Sequence, residues 1–456
     1  NNLALPSTYC YLCILMKLLP VLLSIVVLSV PGAKALEFSG NPLPVIEIEA
    51  DATSGLEKIY VLHTKEGVKV SFVAGNGGVP QWKRFSAMGA AYAEPVAAVV
   101  DGRKATITLE AGDMGYLVEA DGRQHCFWIT DYSRHNLELN SLSPLPEQDC
   151  ARLRLAFDGK AGEIPYYSIN GRRMILGRGL ELSYTTMTLD EESFSYVTTT
   201  AIETLDYISA ETSIPAPLCD TRLQLSGDRF LKTWNREKEI ETPSIEAIAV
   251  EATTRASQSQ RENDNEQKES GAEGLGGSAP ADITFEAAVT DGAIFRQWEI
   301  SRTQEFEIPE LTFSETEFTF SFQEQGTTYV RFRADNADGT CEFTGPVYEV
   351  FIGESKLEIP NAFSPKSTPG VNDLWKVSYK SLVSYQCNIF NRWGTQMFSS
   401  DNPADGWDGK YRGRFVPAGV YYYVIKARGA DGVDYNRAGD INIIDYSEPS
   451  EQQTQQ

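Results

Sequence analysis

Short runs of β-branched and aromatic residues, each closed by Gly, Asp, Asn or Pro, recur along the whole chain. Arg152 to Phe157 alternates polar and apolar residues with period two, as a strand with one buried face does. Asn170-Gly171 separates two further runs and is the strongest short hairpin signal in the chain. Because short strands joined by tight turns must bury a face against a second sheet, we predict an all-β, multi-domain chain of β-sandwiches.

The length of 456 residues is enough for three or four domains. Pro144 and Pro146 mark one linker, and Phe230, Leu231 and Trp234 are predicted to pack as the closing strand of the domain that follows it. We predict a first β-sandwich at 36–142, a second at 143–242, a third at 243–354, a small terminal β-domain at 355–446, and a disordered tail at 447–456.

The third domain contains a polar insertion. Glu246 to Glu251 and Ile283 to Val289 are predicted as its first two strands, whereas residues 255–281 consist largely of Gln, Glu, Asn, Ser and Gly. Such a composition buries little apolar surface, so we predict disorder there. The segment is either a loop inside one sandwich or a tether between two halves of the protein.

The N-terminal region has the pattern of a secretory signal peptide. A positive start at Lys17 precedes an apolar segment from Leu18 to Val30, and the region closes on Ala33-Lys-Ala35. We predict a signal peptide at 16–35 with cleavage between Ala35 and Leu36, and we interpret residues 1–15 as translated upstream sequence. A transmembrane anchor is the alternative, since the apolar run approaches the roughly 20 residues that span a bilayer.

Five cysteines lie beyond the predicted cleavage site, and an odd number leaves at least one thiol unpaired in an exported chain. Cys150 and Cys219 lie near the two ends of the predicted second domain, so we predict a disulfide between them. A bridge from Cys126 to Cys150 is the main alternative. Cys387 is predicted to be a small buried apolar residue.

Charge and motif content narrow the function. The formal net charge of −23 argues against binding to nucleic acid, whose phosphates require a basic surface. The three histidines, His63, His125 and His135, show no metal-ligand spacing, and nucleophile-elbow, Walker and dinucleotide motifs are absent from the sequence. We therefore expect no catalytic residues, no cofactor and no metal, and we do not expect an integral membrane protein.

The terminal block is dense in aromatic residues and turn signals. Tyr421 to Ala427 is predicted as a buried or half-buried strand, and Asn388 to Phe398 as a hairpin with its tip near Trp393. Gly394 would supply the left-handed backbone position that the turn needs. The block also carries Gly406-Trp-Asp-Gly409, in which Asp408 favours an Asx-type turn.

This block resembles the gliding-motility-associated C-terminal domain, the type B sorting domain of the type IX secretion system. The resemblance implies a small β-sandwich, export to the cell surface, recognition by the type IX translocon, and docking to a PorP/SprF-type outer-membrane protein. Residues in motifs that match the family are expected to serve sorting or docking, or else to hold the small sandwich together: Asn361, Phe363, Asn372, Asp373, Asn391, Arg392, Trp393, Gly394, Trp407, Asp408, Gly419 and Tyr421.

One loop departs from the family. Where relatives carry an acidic Asn-Gly-Asp-Gly type loop, this chain has Lys366-Ser-Thr-Pro-Gly370, so we predict no cation there. The middle of the chain resembles Ig-like and PKD-like modules, with Trp82 as a candidate core indole in the first sandwich and Ile294 to Trp298 at the position of a PKD motif in the third. Such modules commonly act as spacers or interaction surfaces.

Two non-catalytic functions remain open. The first is a structural adaptor that docks through its terminal domain and engages periplasmic or surface components of the secretion or motility machinery. The second is a surface adhesin that uses the same anchor and binds host or polymer ligands through its Ig-like modules. The chain is short for a motility adhesin and its modules are not near-copies, which favours the adaptor.

Overall fold

The computed structural model describes residues 36–75, 78–268, 274–366 and 372–444. The predicted upstream segment, the signal peptide up to Ala35 and the predicted tail at 447–456 lie outside these residues. The described chain is a series of β-sandwiches with one short α-helix, as the residue pattern predicts. It divides into two compact units, one formed by residues up to 135 together with 165–176, the other by 136–164 and everything after 176.

The first unit contains a sandwich of ten strands. Strands β1, β4, β8 and β7 form one sheet, and β2, β3, β10, β9, β5 and β6 form the other. Trp82 is buried in the core, where its indole Nε1 donates to the Ala105 carbonyl over 3.2 Å, so its predicted core position is confirmed. Short 3-10 helices lie at Ala52–Ser54, Ala90–Tyr92 and Tyr132–Arg134. The strands are β1 (Glu37–Ser39), β2 (Ile46–Glu49), β3 (Lys58–Leu62), β4 (Lys69–Val73), β5 (Gln81–Phe85), β6 (Glu94–Val96), β7 (Val99–Asp101), β8 (Lys104–Thr108), β9 (Met114–Ala120) and β10 (Arg123–Asp131).

A second group of strands follows: β11 (Glu138–Pro144), β12 (Arg152–Lys160), β13 (Ile164–Tyr167), β14 (Arg173–Leu176), β15 (Leu180–Asp190), β16 (Ser195–Leu205), β17 (Glu211–Pro215), β18 (Leu223–Gly227) and β19 (Lys238–Glu241). Its larger sheets have the orders β11-β12-β17 and β16-β15-β18-β19. The hairpin β13-β14 turns at Gly171, whose φ of 75° only glycine adopts readily, so the predicted hairpin is confirmed. This hairpin groups with the first unit, where Ile169 donates to the Ser54 carbonyl.

The predicted closing strand at Phe230, Leu231 and Trp234 is wrong. Residues Arg229–Thr233 form the short helix α1, because the Asp228 carboxylate accepts from the Leu231 amide and so caps the helix. The same carboxylate pairs with the Arg178 guanidinium at 2.7 Å, and both side chains are buried. The apolar residues of this segment therefore reach the core from a helical turn.

The third sandwich comprises β20 (Ala252–Gln258), β21 (Leu275–Gly277), β22 (Ala281–Val289), β23 (Phe295–Ser301), β24 (Leu311–Phe313), β25 (Glu317–Phe322), β26 (Gly326–Asp335), β27 (Glu342–Thr344) and β28 (Tyr348–Ile352). Its sheets are β20-β22-β25 and β21-β28-β26-β23-β24, with β27 paired to β26. Trp298 is fully buried and packs against Phe285 and Phe332 at ring-centroid distances of 5.5 and 5.1 Å. The predicted first strand at 246–251 is displaced, because the strand that pairs with β22 begins at Ala252.

The prediction of disorder at 255–281 is wrong for the described part of that segment. Its first residues belong to β20 and its last to β21 and β22. Between them, the Gln267 amide donates to the Tyr379 carbonyl at 2.7 Å, and the Tyr379 amide donates to the Asn265 carbonyl at 3.1 Å. The segment leaves and re-enters one sandwich, which is the loop alternative, and its polar residues are ordered by hydrogen bonds to the terminal domain rather than by apolar burial.

The predicted disulfide between Cys150 and Cys219 is also wrong, as is the alternative from Cys126. Cys150 bonds to Cys341, 191 residues further along, with their Cα atoms 5.5 Å apart. Cys219 is a buried free thiol, as are Cys126 and Cys387. The prediction placed a bridge within one domain, whereas the bond joins the segment before β12 to the turn between β26 and β27 and so ties two sandwiches together.

The terminal domain contains β29 (Lys356–Glu358), β30 (Ala362–Phe363), β31 (Ser378–Lys380), β32 (Leu382–Phe390), β33 (Gln396–Ser400), β34 (Lys410–Tyr411), β35 (Arg414–Phe415), β36 (Gly419–Gly429) and β37 (Asp434–Ile443). Its main sheet has the order β30-β37-β36-β32-β33, and the short pairs β29-β31 and β34-β35 accompany it. No helix in the described residues is long and apolar enough to cross a membrane.

Candidate docking surface of the terminal domain

The topology of the main terminal sheet gathers several motifs at one end. Strand β30 runs parallel to β37, and β36 is antiparallel to both β37 and β32. One end of the sheet therefore holds the end of β30, the β32-β33 turn, the start of β36 and the end of β37. We call it the loop end of the terminal domain.

The β32-β33 turn presents an exposed tryptophan at the loop end. The Asn391 side-chain oxygen accepts from the amides of Trp393 and Thr395 at 3.0 and 2.9 Å, and Gly394 has a φ of 81°. This Asx-type turn leaves Trp393 75% exposed, with the Arg392 guanidinium 4.4 Å from its ring centroid. Asn391 and Gly394 shape the turn, so Arg392 and Trp393 are the residues available to a partner.

Three other predicted docking residues lie in the core. Trp407 is buried between Phe363 and Tyr421, with ring centroids 5.6 and 5.2 Å away. Its indole Nε1 donates to the Lys410 carbonyl at 3.1 Å, and the Tyr421 hydroxyl donates to the Pro417 carbonyl at 3.0 Å. Their positions suit a role in holding the sandwich together and shaping the loops at this end.

The remaining predicted positions lie mostly in turns. The Asn361 carbonyl accepts from the Asn442 amide at the start of β30, and Gly419 begins β36 with a φ of 142°. Asn372 has a positive φ of 57° and accepts from Ser364 through its carbonyl; the half-buried Asp373 follows it.

Asp408 closes a turn, and the positive charge of Lys410 balances its negative charge. Its carboxylate accepts from the Lys410 amide at 3.0 Å and pairs with the Lys410 ammonium at 2.9 Å. Burial raises the pKa of the Asp408 carboxyl, but the hydrogen bonds from Lys410 outweigh it and the pKa lies below its ordinary value. Asp408 is thus a turn-forming carboxylate.

An exposed apolar face on β36 was not predicted. Val420, Tyr422 and Val424 point to the same side and are 45%, 45% and 39% exposed. The half-buried Phe390 lies directly opposite Tyr422 on β32 and so shares that face. We call these four residues the outer face. Alternation along β36 was the available signal, but the unbroken aromatic run around it gave no indication of which side is covered.

Lys366, which replaces the acidic loop of relatives, lies at the loop end with its ammonium 5.4 Å from the Phe415 ring centroid. The rest of that loop, residues 367–371, lies outside the described residues. The absence of a cation there therefore stays a prediction.

Comparison with known families matches two parts of the chain. Residues 143–242 match the model of a fibronectin type III domain, and residues 357–443 match the CHU_C type IX secretion signal domain. No curated protein sequence matches the chain.

Several solved structures match most of the chain, but with low sequence identity and low TM-scores. A tetra-tandem repeat in the extending region of a large adhesion protein is 11% identical with a TM-score of 0.21, covering 84% of this chain and 96% of its own. The ICAM-5 D1–D4 ectodomain fragment is 8% identical with a TM-score of 0.20, covering 90% and 100%. A Ca²⁺-stabilized adhesin with which an Antarctic bacterium binds ice is 10% identical with a TM-score of 0.18, covering 88% and 98%. TM-scores this low carry no argument about function.

The secretion signal domain makes this an exported cell-surface protein that interacts with the type IX secretion machinery. The residues that match this domain are those of the terminal block. The fibronectin type III match lies earlier in the chain, in the second sandwich. The chain therefore carries a type IX secretion signal domain at residues 357–443, in agreement with the resemblance of the terminal block to a type B sorting domain.

Proposed function

We propose that the chain is a non-enzymatic structural adaptor, held at the outer membrane by docking of its terminal domain to a PorP/SprF-type protein. Its other sandwiches would engage periplasmic or surface components of the secretion or motility machinery. The observation that carries the proposal is the outer face on β36, which lies beside the exposed Arg392 and Trp393.

The outer face has the character of a protein interface. Its aliphatic and aromatic side chains lie on a regular sheet, so they are held rigidly and cost little conformational entropy on binding. Exposed apolar patches rimmed by polar residues commonly mark interaction sites. Here the rim is supplied by Asn388 on β32 and by Asp440 and Asn442 on β37, which lie opposite outer-face residues in the sheet register.

Ties between successive sandwiches support the adaptor over a flexible tether. The Cys150–Cys341 disulfide joins the β11-β12 connection of the second sandwich to the third sandwich. The insertion after β20 hydrogen-bonds to Tyr379 of the terminal domain, and Lys376 pairs with Asp264 at 2.7 Å. An assembly component benefits from such ties, because they limit the freedom lost when several partners bind together.

The docking proposal is tested by affinity purification from detergent-solubilised outer membranes. The double variant Tyr422→Ser/Val424→Ser is expected to lose the PorP/SprF-type protein while the unmodified chain recovers it in stoichiometric amount. Val433→Ser is the matched control, because Val433 is 47% exposed but lies in the turn at the other end of β36. Equal recovery by all three proteins contradicts docking through the outer face.

The same purification separates the adaptor from the adhesin. Recovery of secretion or motility components together with the PorP/SprF-type protein supports the adaptor, whereas recovery of the anchor alone favours the adhesin. Turnover of a glycan or peptide substrate by the purified chain, abolished by substitution of one defined residue, would overturn the non-enzymatic proposal.

A further inference from the structure

The terminal domain is the basic part of an acidic protein. Residues 357–444 contain ten Lys and Arg and eight Asp and Glu, although the whole chain has a net charge of −23. Half of those cations are clustered at the loop end. This cluster, which we call the basic tip, consists of Lys366, Arg392, Lys410, Arg412 and Arg414.

Aromatic rings are interleaved with the basic tip. The ammonium groups of Lys366 and Lys410 lie 5.4 and 4.9 Å from the centroid of the exposed Phe415 ring. The Arg412 guanidinium lies 5.1 Å from the ring centroid of Tyr411, much as Arg392 lies over Trp393. Each of these cations therefore accompanies an apolar ring at or near the surface.

The basic tip is formed by three separate chain segments that converge. Lys366 follows β30, Arg392 is in the β32-β33 turn, and Arg412 and Arg414 are in the β34-β35 hairpin that leads into β36. Arg392 also acts electrostatically on Tyr421, opposing the rise in the pKa of that phenol caused by burial, which places the turn beside the start of β36.

Carboxylates at this end compensate only part of the charge. Asp408 pairs with Lys410, and Asp440 accepts from the Asn442 side chain. Asp373 is half-buried after β30. Within the described residues, Arg392, Arg412 and Arg414 form no ion pair and are exposed. Three guanidinium groups therefore remain available for anionic groups outside the chain.

We propose that the basic tip binds the phosphate headgroups of an anionic lipid surface, with Trp393 and Phe415 entering the interface between headgroups and acyl chains. Aromatic rings favour that interfacial depth, and Lys and Arg next to them attract anionic headgroups. Arg392, Arg412 and Arg414 are exposed and lie in a turn and a hairpin at one end of the domain. A plane of phosphates can meet exposed groups on several separate segments at once, whereas an acidic protein segment is better held in a groove. The proposal is independent of which protein docks on the outer face.

The test uses the chain beginning at Leu36 and vesicles of phosphatidylcholine alone, with added phosphatidylglycerol, or with added lipid A. Flotation is expected to recover the protein with both anionic compositions, less so as salt is raised, and not with phosphatidylcholine alone. A second readout comes from Trp393, since the other six tryptophans are buried and Trp393 is exposed. Acrylamide quenching of the intrinsic fluorescence should fall when anionic vesicles bind.

The variant Arg392→Ser/Arg412→Ser/Arg414→Ser should weaken partitioning onto anionic vesicles about 100-fold, given the attraction typical of each basic residue near such a surface. The matched control is Lys426→Ser/Arg428→Ser/Arg437→Ser, which removes the same charge from exposed positions on β36 and β37 outside the basic tip. It should retain binding within a few-fold. Circular dichroism of both variants verifies that each is folded.

Several results would overturn the proposal. These are no binding of the unmodified chain to anionic vesicles, equal binding to phosphatidylcholine alone, or equal losses in the two triple variants. Displacement from vesicles by an acidic polypeptide at equal charge concentration, but not by inorganic phosphate, would assign the basic tip to a protein partner instead. None of these outcomes bears on the outer-membrane purification, because that experiment alters the outer face alone.

Discussion

Substitution of Asn265 by Ala should loosen the insertion from the terminal domain. The Asn265 side-chain nitrogen donates to the carbonyls of Val377 and Pro403 at 2.8 and 2.9 Å, so two hydrogen bonds are lost. Each hydrogen bond contributes about 1 kcal/mol net, and its loss costs more if no water replaces the lost donor at the carbonyl. Among the described residues the buried Asn265 side-chain oxygen has no hydrogen-bond partner, so its removal offsets part of the loss. We expect a net cost of about 2 kcal/mol to local stability, which is about 30-fold in the opening equilibrium.

Hydrogen exchange of the Tyr379 amide measures this opening directly, because that amide donates to the Asn265 carbonyl. In the unmodified chain it should be protected, and in Asn265→Ala it should exchange about 30-fold faster. Glu262→Ala is the control, since Glu262 is exposed in the same insertion. Unprotected exchange in the unmodified chain, or identical rates in Asn265→Ala and the control, would refute the hydrogen-bond account of why this polar segment is ordered.

Three further predictions concern covalent and buried charged groups. Non-reducing peptide mapping should recover Cys150 linked to Cys341, with the other three cysteines after Leu36 alkylated on denaturation; any other linkage contradicts the structure. Burial lowers the pKa of Lys65 to about 8, so the folded state binds fewer protons than the unfolded state between pH 8 and 10.5. The free energy of unfolding of the first sandwich should therefore rise by about 3 kcal/mol from pH 8 to pH 10.5 because of Lys65, and Lys65→Met should remove this rise. Hydrogen exchange of the β10 amides measures it, and the same pH dependence in the unmodified chain and in Lys65→Met would contradict the prediction. Asp228→Ala should cost about 3–5 kcal/mol in urea unfolding, because it removes the buried carboxylate that pairs with the Arg178 guanidinium and caps α1, and a loss below about 1 kcal/mol is inconsistent with that.

Elements whose signal is local were predictable from the sequence. The Asn170-Gly171 turn and the period-two pattern of Arg152 to Phe157 appear as a hairpin and a strand, because turn geometry and one-sided burial are encoded within a few residues. The type of the terminal domain also followed from motifs of short span, such as the Asn391 turn with its glycine at 394. These features need no knowledge of distant contacts.

Features that depend on a distant partner were not predictable. Asn265 is polar and lacks an apolar neighbourhood of its own, so composition indicated disorder, whereas the carbonyls that order it lie more than one hundred residues away. Cys150 has a partner in another sandwich, and spacing cannot distinguish among the possible pairings. The helix α1 has only five residues, too few for its apolar pattern to separate the period of a helix from that of a strand, and the Asp228 cap is the one local sign of a helix.

The terminal domain shows why a motif is a poor guide to a binding surface. Trp407 and Trp393 both belong to family-like motifs, yet one is buried beneath the loops and the other is 75% exposed on a turn. Substitution of Trp407 would therefore impair any docking role by unfolding the loop end, and loss of secretion in such a variant could not identify a contact. Tyr422 lies outside every turn motif and is exposed on a regular strand, so its substitution tests contact with less risk to the fold. Variants for mapping the partner should accordingly be chosen by exposure on the outer face and the basic tip, with the buried motif residues used only as controls for folding.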